Sequence, residues 1–345
     1  AAAVKKAEIA TWKASNPELS AKLDGFLAGK LPDLDFESVV NKPGLATRAA
    51  SANVLGYLAQ NVENMIVSSA DLSNSDKTDG FLKKTTAFQK GDFKGQFLQA
   101  GVAELTMSAL CTGLALHGGV IPVCATFFAF SDYMKPAMRV AALMETPVIF
   151  IWTHDAFRVG EDGPTHQPIE QEAQLRLLEQ LKNHSGENSL LALRPADTDE
   201  ATVAWKMAFE NRKTPTGMIF SRQNIKTLPA SEGNTRYKDA LNAQKGAYIV
   251  QDCEGTPDVI LVANGSEVAT LIEGAAKLTR EEGKKVRVVS AISEGLFRNQ
   301  NADYQESVLP KAVRKRVAIE AGSTMSWYRI VGSEGKVIGL DHYGA

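Results

Sequence analysis

Between residues 47 and 220, short apolar runs alternate with stretches of helical length, and no other feature constrains the chain as much. Strands are predicted at 65–69, 120–126, 147–152, 189–193 and 216–220. Helices are predicted at 49–60, 103–117, 131–143, 169–181 and 198–211. Strands that are apolar throughout need cover on both faces, and parallel neighbours need a crossover long enough to supply it. The spacing therefore predicts a doubly wound, mostly parallel sheet. A second α/β unit of the same class follows, with strands at 259–263, 286–291 and 316–321, a helix at 267–281, a helical stretch to residue 309, and "VIGLD" as a last strand. Residues 233–258 read as polar and turn-rich. Residues 4–30 read as a helix pair or a broken helix, with Asn16 as an N-cap and Pro17 at the first helical position. The expected division is a linker at 1–40, a first domain at 41–232 and a second at 233–345. The final strand candidate lacks a covering helix, and the first residue, Ala1, falls inside a helical pattern. Both ends are expected to be cut from a longer protein.

The 345 residues are 44% apolar and 23% charged, with a formal net charge of −2 and no long basic block. That excludes a nucleic-acid protein whose affinity comes from phosphate neutralisation, but not a local basic pocket. Cys111, Cys124 and Cys253 are scattered and never spaced as C-x-x-C, which argues against a disulfide framework or zinc site and for a reducing cytoplasm. No apolar run approaches the ~20 residues that cross a bilayer, so no membrane partner is expected.

Ligands of open parallel sheets bind outside the carboxyl ends of the strands. Polar clusters sit at several such ends: "SSADLSNSD", "TFFAFSDY", "THDAFRVGEDGPTHQP" and "SRQN". The long loop, residues 153–168, holds His154, His166, Asp155, Glu161 and Asp162. It reads as a solvated loop, a metal site without helical ligand spacing, or a substrate site, and the last fits best. A histidine there can polarise an oxygen or move a proton. Glu104 opens a helix predicted to be apolar nearly all round and buried. Burial penalises its charge while the helix N-terminus favours it. Phe127, Phe128, Phe130 and Tyr133 suit either a core or a stacking surface for a flat heterocycle. Arg48, Arg194 and Arg222 are cationic candidates for phosphate, with Ser75 as a possible hydroxyl partner. No P-loop, nucleophile elbow or convincing dinucleotide fingerprint is present, and "NGSEVATL" is only a weak nucleotide signal.

In order and spacing, "ATR", "SADLSNSD", "GVAE", "TFFAFSDY", "THD…GEDGPTHQP", "LRPAD" and "SRQN" resemble the transketolase family. The resemblance spans nearly the whole chain but only part of that family's length. It implies transfer of a two-carbon ketol unit between sugar phosphates with thiamine diphosphate. Glu104 would hydrogen-bond the cofactor's pyrimidine ring, inside a pocket made by Phe127, Phe130 and Tyr133, and Asp71 would lie near its thiazolium side. His166 would contact the substrate's oxygens during ketol transfer, and Asp162 a sugar hydroxyl. Arg48, Ser75, His154 and Arg222 would hold the sugar phosphate. No metal ligand is expected on this chain, because the domain that holds the diphosphate and a Mg²⁺ or Ca²⁺ ion has no counterpart here.

Two further departures stand out. "HDAFR" replaces the family's frequent HDSIG, and "EQLKNHSGEN" looks inserted, with His184 exposed. The resemblance further implies a homodimer, and a partner half that binds the diphosphate, without which the chain is inactive. The β subunit of a 2-oxoacid dehydrogenase and a non-catalytic assembly module are the competing readings.

Overall fold

A computed structural model of the protein describes residues 1–344, apart from the Glu161 side chain. The strands are β1 (Met65–Ser69), β2 (Phe97–Gln99), β3 (Ile121–Phe127), β4 (Ile149–Thr153), β5 (Leu191–Leu193) and β6 (Thr216–Phe220), followed by β7 (Tyr248–Gln251), β8 (Val259–Ala263), β9 (Val286–Ser290), β10 (Arg316–Ile319) and β11 (Lys336–Ile338). The first six form one parallel sheet in the order β2-β1-β3-β4-β6-β5. The other five form a second sheet, β11-β10-β8-β9-β7, in which only β7 runs antiparallel.

Alternation within the strands explains why both faces of the first sheet are covered. Ile149 and Ile151 point into a core with Leu55, Leu58, Trp205 and Phe209. Their neighbours Phe150 and Trp152 point the other way, toward Met107, Cys111, Met134 and Leu175. A strand buried on both sides reads as a near-continuous apolar run, as Ile149–Trp152 does before the strand ends in Thr153. Most predicted elements hold, with ends shifted by a residue or two. The 49–60 helix, for instance, runs Thr47–Asn61, and the helix predicted at 267–281 runs Glu267–Glu282.

Four expectations are corrected. Residues 233–258 are not merely turns, since they contain a short helix, Arg236–Ala240, and the edge strand β7. The three-residue β2 falls in a segment read as loop. Asn16 makes no side-chain cap for the helix at Pro17; its amide instead donates to Trp12 O, closing the preceding helix, Ala2–Ser15. The helix Glu104–His117 is not buried all round. It buries Glu104, Met107, Ser108, Cys111 and Thr112, while Leu105, Leu110 and Leu116 are about half exposed. An apolar stripe and an apolar surface look alike in sequence when both are made of Leu and Ala.

Strand order decides where a ligand can sit. In the first sheet the chain leaves β1 toward β2 on one side and returns to β3 on the other, so the switch point lies between β1 and β3. In the second sheet it leaves β8 for β9 and returns to β10, so that switch point lies between β8 and β10.

Candidate active site

At the first switch point, β1 ends in Ser69 and turns through Asp71, whose left-handed φ of 64° carries the chain away from the sheet. Ser69 Oγ donates to buried Asp76 at 2.6 Å, which in turn accepts from the Thr78 amide at 2.9 Å and the Thr78 hydroxyl at 2.7 Å. Burial pushes Asp76 up from its ordinary range, and these three hydrogen bonds pull it back. The helical turn Ser73–Asp76 that presents Ser75 is therefore pinned from inside. Arg48 Nη1 donates to the Ser75 carbonyl at 2.7 Å, tying the β1 end to the Thr47–Asn61 helix. That helix start is tied to the end of β6, where Thr47 N donates to Ser221 Oγ at 3.0 Å. Arg222 follows, against Gly160 of the long loop: a Cβ on Gly160 would lie 2.9 Å from Arg222 Nη2, so glycine permits the approach. Burial and the neighbouring Arg222 both lower the Arg48 guanidinium from its ordinary value.

Glu104 is 7% exposed and stands at the first residue of its helix. Thr126, the penultimate residue of β3, donates to Glu104 Oε1 at 3.2 Å. Among the described residues no hydrogen bond reaches Oε2. Phe127 and Phe130 stack with centroids 5.9 Å apart, and Tyr133 follows at 6.1 Å from Phe130. Phe128 instead packs in the core beside Trp152, which separates one aromatic of the four from the other three. Tyr133 is 62% exposed.

Both loop histidines reach the aromatic pair. His154 lies 3.8 Å from the Phe127 centroid, and His166 lies 5.0 Å from that of Phe130. His154 is buried, adopts a left-handed φ of 63°, and shares a hydrogen bond with Thr153 Oγ1 at 3.0 Å through Nδ1. Burial first, then the positive fields of Arg48, Arg222 and His166, pull its pKa down to about 3. It is a neutral imidazole at physiological pH. Its neutrality makes it a hydrogen-bonding group and not a cation.

Of the residues expected to form a site, Arg48, Ser75, Glu104, Phe127, Phe130, His154, His166 and Arg222 lie along the carboxyl ends of β1, β2, β3, β4 and β6. Asp71 and Asp162 are exposed, and among the described residues neither forms a hydrogen bond or ion pair with this group. Glu161's side chain lies outside the described residues. Arg194 is not at the site: it is fully buried in a separate ionic cluster with Asp155, which removes that carboxylate from the loop's solvent face. His184 is exposed. Sequence reasoning passed over Thr126, whose signal was its place at the end of an apolar strand immediately before the aromatics.

The donor set fits a flat, nitrogen-bearing heterocycle. A secluded carboxylate with one oxygen lacking a hydrogen bond can meet a ring nitrogen, and neighbouring aromatic faces can cover the ring. Two arginines and a neutral histidine then suit a phosphorylated, hydroxylated substrate. Among the described residues no cluster of His, Cys, Asp and Glu has the arrangement of a metal site.

Residues 43–227 match the family model for the transketolase pyrimidine-binding domain, and residues 246–345 that for the transketolase-like C-terminal domain. The chain is 43% identical over 347 residues to the chloroplastic transketolase of Craterostigma plantagineum, covering 98% of this chain and 63% of the relative. Its structure superposes on the transketolase of Leishmania mexicana with a TM-score of 0.85 at 34% identity, over 97% of this chain and 47% of that one. A chain described as a split gene transketolase, inactive β4 tetramer, shares the fold at 22% identity and a TM-score of 0.63, matched over 87% of this chain and 90% of its own. The chain thus spans from about half to just over three-fifths of the length of these relatives. No helix among the described residues is long and apolar enough to cross a membrane.

Proposed function

Because the chain belongs to the transketolase family, we propose that it is the pyrimidine-binding and C-terminal portion of an enzyme that moves a two-carbon ketol unit from a ketose phosphate to an aldose phosphate. The observation that supports this reading is the grouping, at the carboxyl ends of one sheet, of a secluded Glu104, stacked Phe127 and Phe130, neutral His154, His166 and the arginines Arg48 and Arg222.

When bound, thiamine diphosphate supplies the nucleophilic carbon and the electron sink for breaking and making the carbon–carbon bond. The residues of this chain bind, orient and move protons. Glu104, held through Oε1 by Thr126, would offer Oε2 to share a proton with a pyrimidine nitrogen. Phe127, Phe130 and Tyr133 would cover that ring, and Asp71 would lie near the cofactor's thiazolium side. His154 shares a hydrogen bond with the Thr153 hydroxyl through Nδ1; in the tautomer that carries its proton on Nε2, that uncharged N–H would meet a substrate oxygen. His166 contacts the substrate's oxygens during transfer, and Asp162 takes up a sugar hydroxyl. Arg48, Arg222 and Ser75 hold the phosphate, where guanidinium geometry suits two oxygens at once.

The partner requirements follow from this reading. A diphosphate-binding half, carrying a Mg²⁺ or Ca²⁺ ion, completes the site, either from a longer chain or from a separate one, and this chain alone is inactive. The exposed leucines of the Glu104–His117 helix, beside Tyr133, Val140 and Leu143 of the adjacent Ser131–Leu143 helix, form an apolar face suited to a second copy, and so support a homodimer. The setting is the cytoplasm. No specific observation favours the 2-oxoacid dehydrogenase or assembly readings.

The test combines this chain with a diphosphate-binding half, thiamine diphosphate and Mg²⁺, and measures two-carbon transfer from a ketose phosphate. Activity only in the mixture is expected. Activity on 2-oxoacids instead, or none with any partner half, overturns the proposal.

A further inference from the structure

The crevice of the second sheet is already filled, and by a side chain of the first domain. Arg194 follows β5 and lies between the ends of β8 and β10 with 1% of its surface exposed. Nη1 donates to Asn264 Oδ1 at 2.9 Å and to Glu320 Oε1 at 2.8 Å, and it pairs with Glu267 at 2.6 Å. The backbone is stitched as well, since Arg194 N donates to Ile292 O at 3.1 Å and Gly265 N donates to Arg194 O at 3.1 Å. Gly265, at φ +55°, is in contact with the guanidinium: a Cβ there would stand 2.7 Å from Cζ. The "NGSE" turn, a weak nucleotide signal in sequence, wraps an arginine.

The other edge of the same guanidinium faces the active-site loop. Nη2 and Nε both donate to Asp155 Oδ2, at 2.8 and 3.3 Å. Asp155 is the residue after His154, and His154 holds a left-handed backbone that a non-glycine residue adopts only when its surroundings impose it. Glu172 and Arg176 close the cluster. Glu172 pairs with Arg194 at 3.4 Å and Arg176 at 2.7 Å, Arg176 lies 4.1 Å over the Trp327 ring, and Trp327 donates to Glu320 Oε2 at 2.8 Å. Arg194 is thus held on the second-domain side by several buried partners, while among the described residues Asp155 is held through Oδ2 by Arg194 alone and its Oδ1 has no hydrogen bond.

Building on the functional reading above, we propose that Asp155 and Arg194 are positioning residues for His154: the C-terminal domain, through Asn264, Glu267 and Glu320, holds Arg194, which holds Asp155, which fixes the imidazole against Phe127. The second domain thereby acts in catalysis without touching substrate. Asp155→Asn is the primary variant, because it removes one charge from a cluster in which acids outnumber arginines and keeps the side-chain shape. In the reconstituted enzyme, it is expected to lower kcat/KM for the ketose phosphate by about 10- to 100-fold, as misplacement of a contact group does.

The same change in a His154→Ala background is expected to cost almost nothing further, since the anchor then has nothing to position. Equal costs in both backgrounds overturn the proposal. A second readout needs no activity. In ¹⁵N-histidine spectra of this chain, Asp155→Asn should shift and broaden the His154 ring signals while those of the exposed His117, His184 and His342 stay in place. Unchanged His154 signals overturn the proposal even if the mixture is active. If all the signals change, so that the variant has lost its fold, Arg194→Lys takes its place. It keeps the charge and loses the paired N–H contacts to Asp155, and it must shift His154 alone for the proposal to stand. An inactive wild-type mixture would count against the two-carbon-transfer reading alone, and the spectra would still decide the positioning role.

Discussion

The Thr126 hydroxyl donates to Glu104 Oε1 at 3.2 Å, joining the end of a central strand to the first residue of the helix that packs on the sheet. One carboxylate oxygen is thus fixed by the fold and the other is left for a ligand. Glu104→Ala should leave the far-ultraviolet circular dichroism and the melting profile of the chain close to wild type. It should lower turnover of the reconstituted enzyme by at least about 10²-fold, the usual scale for a proton-transfer group. Near-normal turnover would remove Glu104 from the cofactor role.

Burial first, and then the positive charge of Arg222, lower Arg48 from its ordinary value, and an anion bound there would relieve both. Arg222→Ala should raise KM for a ketose phosphate by about 10- to 100-fold, the worth of one charge-assisted hydrogen bond. With the unphosphorylated ketose the change should be small. Steady-state kinetics on the two sugars separates phosphate binding from general damage.

His154 carries a pH dependence of stability. Its folded pKa of about 3 lies below the unfolded value of about 6.5, so between these limits the unfolded chain binds a proton that the folded chain does not. Stability therefore falls as pH drops from 6.5 toward 3, by an amount on the order of a few kcal/mol from this group. Melting curves of wild type and His154→Gln over pH 7 to 4 should converge toward low pH. Parallel curves would show that His154 is not buried as a neutral imidazole.

Gly265 is held at φ +55° against Arg194. Gly265→Ala adds a strained backbone and an overpacked contact, which together cost roughly 2–5 kcal/mol. Urea unfolding followed by fluorescence should show the loss; a variant as stable as wild type would mean that Arg194 can move aside.

Leu110 sits about half exposed on the apolar face of the Glu104–His117 helix. Leu110→Glu points away from the Met107–Cys111 core and should not unfold the chain, but should convert a dimer to a monomer in sedimentation velocity. A variant that stays dimeric places the interface elsewhere.

Much of the fold was legible because burial writes itself into local pattern. "IFIWT" between two helix-length stretches reads as a strand covered on both faces, and β1, β6 and β8 begin and end at the residues the sequence predicts. The short β2 and the half-exposed edge strand β7 were missed, because three residues carry no period and an edge strand needs only one apolar face. The aromatic set shows the same limit within a site: Phe127, Phe128 and Phe130 are equivalent as letters, yet Phe128 turns into the core beside Trp152 while the others stack toward the histidines.

What the sequence determined by itself was the class of each element and the polar clusters that follow the strands, since both depend on neighbours within a few positions along the chain. Tertiary structure alone decided which clusters meet. Strand order set the switch point between β1 and β3 and so gathered Arg48, Glu104, His154 and Arg222 from four separate segments. It also sent Arg194, chemically indistinguishable from Arg222 in the sequence, into the second sheet's crevice with Glu267 and Glu320, over 70 and 120 residues away. A guanidinium's role depends on the charges around it in space, and those charges are brought together only by folding.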